Sequence, residues 1–246
     1  MRYPRLLFVI SFFVLWLAVW CGARLKRRFK LEEDTETDFS IVEGAALTLL
    51  GLIIGFSFSM AVSRYDQRKT YEEAEANAIG TEYLRADFLS PEEADHTREL
   101  LRRYTKKRIA FYDTRNEKVL QQIAVETTAL QNALWQSVSR PAIARPSVLM
   151  SLVAGGMNDV INSEGYTQAA WWNRIPESAW GMLFSVAILS NLLVGYGAKR
   201  MKGSFVVVLP LMIAISFFLI ADIDSPRWGV ILLRPQNLLS LQQNLH

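Results

Sequence analysis

Residues 44–63 read GAALTLLGLIIGFSFSMAVS, 20 positions without a charge between Glu43 and Arg64. At ~1.5 Å rise per residue a helix of that length covers about 30 Å, the thickness of the hydrocarbon core of a bilayer. Working outward, three more uncharged gaps appear: 18 residues between Arg5 and Arg24, 21 between Glu177 and Lys199, and 19 between Lys202 and Asp222. The pattern predicts an all-α polytopic membrane protein with four transmembrane helices, near 6–22, 44–63, 178–198 and 203–221. They form two pairs around a long helical extramembrane domain. The competing reading, buried helices of a large soluble enzyme, requires a polar face, and residues 6–20 have none beyond Ser11. The expected organisation is a first helix pair at 1–63, a stalk and extramembrane domain at 64–176, and a second pair with a C-terminal tail at 177–246.

Arg2 and Arg5 ahead of an apolar run also fit a secretory signal, but the run closes on Trp16, Val19, Trp20 and Cys21 rather than on small residues. An uncleaved helix with tryptophans at headgroup level is the reading. One Cys excludes an intrachain disulfide, and with only His96 and His246 beside it a Cys/His metal site is not expected. No cofactor is expected. The net charge of +3 is clustered, at Arg24, Lys26, Arg27, Arg28 and Lys30 and again at Lys199, Arg200 and Lys202. Such clusters read as headgroup and topology signals, with no nucleic-acid partner. Counted by side, basic residues tie, and the weight of short loops puts the central region on the extracytoplasmic face and Lys26 and Lys199 on the cytoplasmic one. The bilayer itself, expected to be a bacterial cytoplasmic membrane, is the first partner.

Between the first two spans, Glu32, Glu33, Asp34, Glu36 and Asp38 read as a solvated loop. After the second span no proline intervenes before Pro91, so the helix is expected to leave the membrane unbroken and run to about Phe88. Ser90, Pro91 and Glu93 make a capping box that restarts a helix. On it Thr97, Leu101, Tyr104, Arg108 and Phe111 share one face, and a further helix reaches about Val138. Arg140-Pro141 to Arg145-Pro146 reads as a break and hinge, because each proline pushes its predecessor out of the helical region. A helix over 147–161 is expected to end at Gly165, and Ile175-Pro176 opens the third span. No alternation marks a strand, and no Walker loop, dinucleotide fingerprint or nucleophile elbow is present. The chain is therefore not expected to be an enzyme.

Several stretches, in order, carry a resemblance: Gly51-Leu-Ile-Ile-Gly-Phe-Ser-Phe-Ser59 leading to Ser63-Arg64-Tyr65-Asp66, Glu75-Ala-Asn-Ala-Ile-Gly-Thr81, Tyr83-Leu-Arg-Ala-Asp87, Arg102-Arg-Tyr104, Asn158-Asp159, Arg174-Ile-Pro176, and Asp222-Ile-Asp-Ser-Pro226 followed by Gly229. Over residues 44–239 the chain resembles a bacterial family of membrane proteins described as bestrophin-like. The resemblance implies two pairs of membrane helices around a helical domain, and the name points to anion channels. Bestrophins are pentameric, with the second membrane helix lining a hydrophobic neck. The acidic calcium clasp of the animal members has no counterpart in this sequence.

Leu47, Gly51, Gly55, Ser59 and Ser63 recur every four residues, a stripe that lets helix backbones approach closely in lipid. Gly51, Gly55 and Ser59 are the expected helix-packing positions, either in plain packing or between subunits of a homo-oligomer around a pore. Beside them Leu52, Phe56 and Met60 repeat at i, i+4 and i+8, as the constriction of a central pathway or as filling of a closed bundle. Asn77, Thr81 and Arg85 align on the stalk and, with intramembrane Asn191 and with Asp222 and Asp224 at the end of the fourth span, are the candidate polar or ion contacts. Pro210 should kink that span. The reading is an oligomeric channel or transport-type protein for a small ion, an anion by resemblance, with the second helix lining the pathway. The alternative is a non-catalytic envelope or signalling scaffold that binds a partner protein through the helical domain.

Overall fold

The computed structural model describes residues 3–28, 33–198 and 205–245, and the folded chain divides into two compact units. Eight α-helices and one 3₁₀ turn account for nearly all the described residues, and no strand occurs among them. Arg2, Lys30, Glu32, the basic turn Lys199, Arg200 and Lys202, the start of the fourth span at Gly203, and His246 lie outside the described residues.

The first unit comprises Met1–Arg64 and Arg174–Ile231. It contains α1 (Pro4–Arg28), the first part of α2 (Glu33–Arg85), α6 (Glu177–Gly197) and α7 (Phe205–Asp224). Each of these four helices contains a stretch long and apolar enough to cross a membrane, and the protein is an integral membrane protein. α1 turns Ser11, Leu15, Ala18, Val19 and Gly22 inward at helical spacing and leaves Leu6, Val9, Ile10, Phe13 and Leu17 exposed. α1 and α6 meet backbone to backbone. A Cβ added at Gly22 would run into the Leu192 carbonyl, and one at Gly195 into the Val19 carbonyl. Lys26 Nζ then donates to the carbonyls of Gly197, at 3.3 Å, and Ala198, at 3.5 Å, placing a cation where the last turn of α6 leaves its oxygens unpaired. Between α6 and α7, Phe217 stands edge-on to Phe184 and Trp180, with centroids 5.0 and 6.1 Å away. α7 continues through Pro210.

The second unit comprises Tyr65–Asn173 and Leu232–His246. The rest of α2, a 3₁₀ turn at Ala86–Phe88, α3 (Pro91–Asp113), α4 (Glu117–Ala144), α5 (Val148–Trp172) and the short α8 (Gln236–Asn244) enclose its core. α2 runs unbroken to Arg85, and the capping box forms at Ser90 and Glu93 as expected. Three expectations are corrected. The acidic stretch read as a loop is helical from Glu33 onward. Pro141 lies inside α4, which continues one turn to Ala144 because Val138 and Pro141 both pack inward; the break comes at Arg145, ahead of Pro146. Gly165 lies inside α5, because Thr167, Ala170 and Trp171 prolong the buried face of Met157, Val160 and Ser163, and that packing outweighs the roughly 1 kcal/mol a helical glycine costs.

One face of α2 in this unit, continued by Ala86 of the 3₁₀ turn, is buried at alternating steps of four and three: Arg68, Glu72, Glu75, Ile79, Glu82 and Ala86. Four of the six are ionisable, so the core is built around partners for charge. Arg68 donates from Nε to the Ala170 carbonyl at 3.1 Å and from a guanidinium nitrogen to that of Asn173 at 3.0 Å, closing the end of α5. Glu72 accepts from the Leu238 amide at 2.9 Å and from Asn237 Nδ2 at 2.6 Å, holding the first turn of α8. Glu75 pairs with buried Arg108 and accepts from Thr167 Oγ1 at 3.1 Å; Glu164 adds a second carboxylate to Arg108 at 3.5 Å.

Glu82 differs from these. It is fully buried, neither carboxylate oxygen has a hydrogen-bond partner among the described residues, and the nearest cation, Arg85, stands 3.9 Å away. Gly156 of α5 presses its bare backbone onto this pair, and a Cβ there would collide with both side chains. Burial raises the Glu82 carboxyl from 4.5 to about 8; Arg85 opposes the shift and Asp159 adds to it.

Two tests follow from this packing. Gly195→Leu should abolish monodisperse protein on size exclusion, since overpacking costs about 1–3 kcal/mol even where side chains can yield and here it meets backbone. Gly181→Leu, with open space around it, should leave the profile unchanged. For Glu82, folded and unfolded chains both hold the proton below 4.5, and only the unfolded chain releases it between 4.5 and about 8. Stability should therefore fall as pH rises through that window and level off above it. Thermal unfolding from about pH 5 to pH 8.5 should show a flatter profile for Glu82→Gln than for the wild type; identical slopes would refute the assignment.

Candidate functional site

In the second span the chain covers itself least. Within residues 44–63 only Leu50 and Ala61 are buried. The half-buried positions Ala46, Leu47, Ile53, Ile54 and Ser57 fall on their side of the helix, where Ser190 Oγ of α6 donates to the Ala46 carbonyl at 3.3 Å. The opposite side carries Thr48, Gly51, Leu52, Gly55, Phe56, Ser59, Met60 and Ser63, all exposed. Leu52 is 54%, Phe56 71% and Met60 46% exposed within the chain, so they do not fill a core of their own subunit. A Cβ added at Gly51 or Gly55 would meet nothing within 4 Å. The close helix approach inside the chain belongs instead to Gly22 and Gly195, two isolated glycines that no periodic stripe marks.

This exposed face differs chemically from those of α1 and α7, while α6 also exposes Ser178, Gly181 and Ser185 beside Met182 and Leu189. On α1 it is Leu6, Val9, Ile10, Phe13 and Leu17, and on α7 Leu211, Met212 and Ile215, the bulky apolar side chains that suit lipid. On α2, small and hydroxyl-bearing residues alternate with three large apolar ones. Thr48 returns its hydroxyl to the Gly44 carbonyl at 2.9 Å, which meets its need for a partner inside its own helix. Farther along the same helix, at steps of three and four from Ser63, the exposed positions are Asp66, Thr70, Glu73, Asn77, Thr81, Leu84 and Phe88. Asn77 and Thr81 are thus exposed as aligned. Arg85 departs from them: it is half-buried and turned to Glu82.

The other candidate polar residues have structural partners. Asp222 accepts from the amides of Val230 at 2.7 Å and Ile231 at 2.8 Å, closing the turn after α7. Gly229 is required there, since a Cβ would strike the carbonyl and carboxylate of Asp222. Asp224 accepts from the Ile175 amide at 3.2 Å and faces Arg64 at 3.6 Å. Three separated stretches of sequence, at Arg64, Arg174-Ile-Pro176 and Asp222 to Gly229, thereby converge on one buried polar knot. Asn191 is fully buried in α6; its Nδ2 donates to the Ala187 carbonyl at 2.8 Å, while Oδ1 has no donor among the described residues. No group of three or more His, Cys, Asp or Glu comes together to hold a metal ion among the described residues. Buried Glu82 was not singled out from sequence, although the 4-3-4-3 spacing it shares with Arg68, Glu72 and Glu75 carries the signal.

Comparison with known proteins agrees with this architecture. The chain is similar in fold to a bacterial bestrophin homologue from Klebsiella pneumoniae. One crystal structure of it, with a tyrosine-to-alanine substitution, has 13% identity and a TM-score of 0.70, covering 96% of this chain and 97% of that one. A second, with a leucine-to-threonine substitution, has 12% identity and a TM-score of 0.69, covering 98% and 97%. A structure described as a membrane protein gives 15% identity and a TM-score of 0.67 over 95% and 96%. A search of curated proteins finds no match. The family model of the Bestrophin-like domain matches residues 9–238, and the chain belongs to that family.

Proposed function

We propose that the protein is a homo-oligomeric ion channel in which the second span of each subunit lines a central pathway, with Leu52, Phe56 and Met60 as an apolar constriction. The observation that carries this is the exposed face of α2. It is apolar enough to lie in a membrane, yet Gly51, Gly55 and Ser59 make it too small and too polar for a surface shaped by lipid, unlike the exposed faces of α1 and α7. One helix cannot enclose a pathway, so copies of α2 come together around an axis. The glycines set their spacing and the large side chains close a dry ring that ions cross by wetting. Membership of the Bestrophin-like family and the fold shared with a bacterial bestrophin homologue support the same reading.

The sign of the ion is read from the exposed positions of α2 beyond the span. Asp66 and Glu73 contribute two carboxylates against one exposed cation, Lys69, while Thr70, Asn77 and Thr81 are neutral and Arg85 is engaged with Glu82, which leaves the stripe net negative. Repeated in each subunit, that stripe concentrates small cations rather than the anions the family name implies. The protein acts without catalysis, in a bacterial cytoplasmic membrane.

In liposomes, Phe56→Ala should raise ion leak about tenfold or more over the wild type, since truncating the ring lowers a dewetting barrier. With a salt gradient the reversal potential should lie on the cation side, and Asp66→Asn/Glu73→Gln should move it towards zero. If the wild type and Phe56→Ala are equally impermeable at all potentials, the pore reading fails and the scaffold reading takes its place.

Gly55→Leu should dissociate the oligomer, as measured by mass after mild cross-linking, while the subunit stays folded, because position 55 touches nothing in its own chain. An unchanged oligomer would mean that this face meets lipid.

A further inference from the structure

A groove between α3 and α4 in the second unit stands apart from the pathway on α2. It has a volume of about 460 Å³, in the range of small-molecule sites, and its apolar lining is Leu100, Ala129, Leu130 and Ala133. Leu100 and Leu130 are buried and form the floor, Ala133 is half-buried, and exposed Ala129 leaves the groove open because it has no side chain beyond Cβ. Four charged residues stand around this apolar floor, and they do not cancel. Lys107 and Glu126 pair across the groove, and Glu126 also accepts from Gln122 Nε2 at 2.8 Å, so its charge is met. Arg103 and Lys106 are exposed, line the same groove, and have no acidic partner among the described residues.

We propose that this groove binds a small amphipathic anion, with a carboxylate or phosphate held by Arg103 and Lys106 and an apolar body lying on Leu100, Ala129 and Leu130. An apolar floor alone would accept any oily molecule. Two uncompensated cations at one rim orient the occupant and select negative charge, and guanidinium and ammonium donors both suit a phosphate or carboxylate oxygen. The volume suits a single short chain or ring system.

The test uses the full chain in phosphatidylcholine nanodiscs and a decyl phosphate carrying a diazirine on its chain, with cross-links located by mass spectrometry. Labelling is expected to saturate, to fall within residues 100–107 and 126–133, and to be outcompeted by decyl phosphate but not by decanol or inorganic phosphate. Arg103→Ala/Lys106→Ala should weaken it about tenfold or more. Ala129→Trp should remove it by filling the floor while the cations remain. Both variants change exposed positions, and unchanged thermal unfolding will show that they are folded. Replacing the nanodisc lipid with phosphatidic acid separates the sources: suppressed labelling means that a bilayer phospholipid occupies the groove, and unchanged labelling means a free ligand. Equal competition by decanol, wild-type labelling of the double variant, or cross-links scattered outside these two segments would overturn the proposal.

Discussion

A backbone amide in hydrocarbon has no water to bond, and leaving it unpaired costs several kcal/mol. That constraint makes every span a helix and forces each side-chain hydroxyl in a span to find a partner within reach. Ser11, Thr48, Ser185 and Ser216 all return their hydroxyls to a carbonyl three or four residues earlier on the same helix. With these hydroxyls satisfied locally, and Ser190 donating across to the Ala46 carbonyl of α2, helices associate largely by shape. The closest approach falls where two glycines, Gly22 and Gly195, remove the side chains that would hold α1 and α6 apart. The polar knot of Arg64, Ile175 and Asp224, with the turn held by Asp222, is the same requirement met by tertiary contacts where helices end.

The second unit solves a different problem. Its core holds Arg68, Glu72, Glu75, Glu82 and Arg108 among aromatic and aliphatic side chains. A buried ion pair is weak evidence for stability, because desolvation offsets its attraction; removing one partner of such a pair is nevertheless costly, at about 3–5 kcal/mol. Arg108 answers this with two carboxylates and Glu75 with a guanidinium and a hydroxyl. The pairs fix the register of α2 against α3 and α5 more strictly than apolar packing would, since a one-residue slip would leave charges unpaired. Glu82 lacks such partners, and holding its proton is the remaining way to keep charge out of the core.

The two faces of α2 explain why one helix supports both a core and a candidate pathway. From Arg68 to Ala86 the inward face runs in steps of four and three, and the exposed face from Leu52 to Phe88 does the same half a turn away. Neither pattern is visible in composition, because the inward face is more charged than the outward one. Hydropathy reads burial through apolarity, and a core that buries carboxylates defeats it.

Four spans, an all-helical chain, the unbroken run of α2 to Arg85 and the capping box at Ser90 were legible from the sequence. They follow from local rules: the length of uncharged runs, the absence of proline, and the hydrogen bonds of one helix end. So was the family, through short motifs in order. Pro141 and Gly165 were misread for one reason, that turn signals state a local preference of about 1–3 kcal/mol and packing along a whole helix face exceeds it; the start of α2 at Glu33 was misread because a run of solvated charge does not by itself exclude a helix. The candidate constriction was legible as a spacing, but that Leu52, Phe56 and Met60 are exposed within their own chain, that Arg85 turns to Glu82, and that Asp222 and Asp224 hold a turn and a helix end were decided only by tertiary structure. A residue's neighbours in sequence determine its helix and its face. Which chain, lipid or charge meets that face depends on contacts between segments distant in sequence, and spacing along one helix carries no record of them.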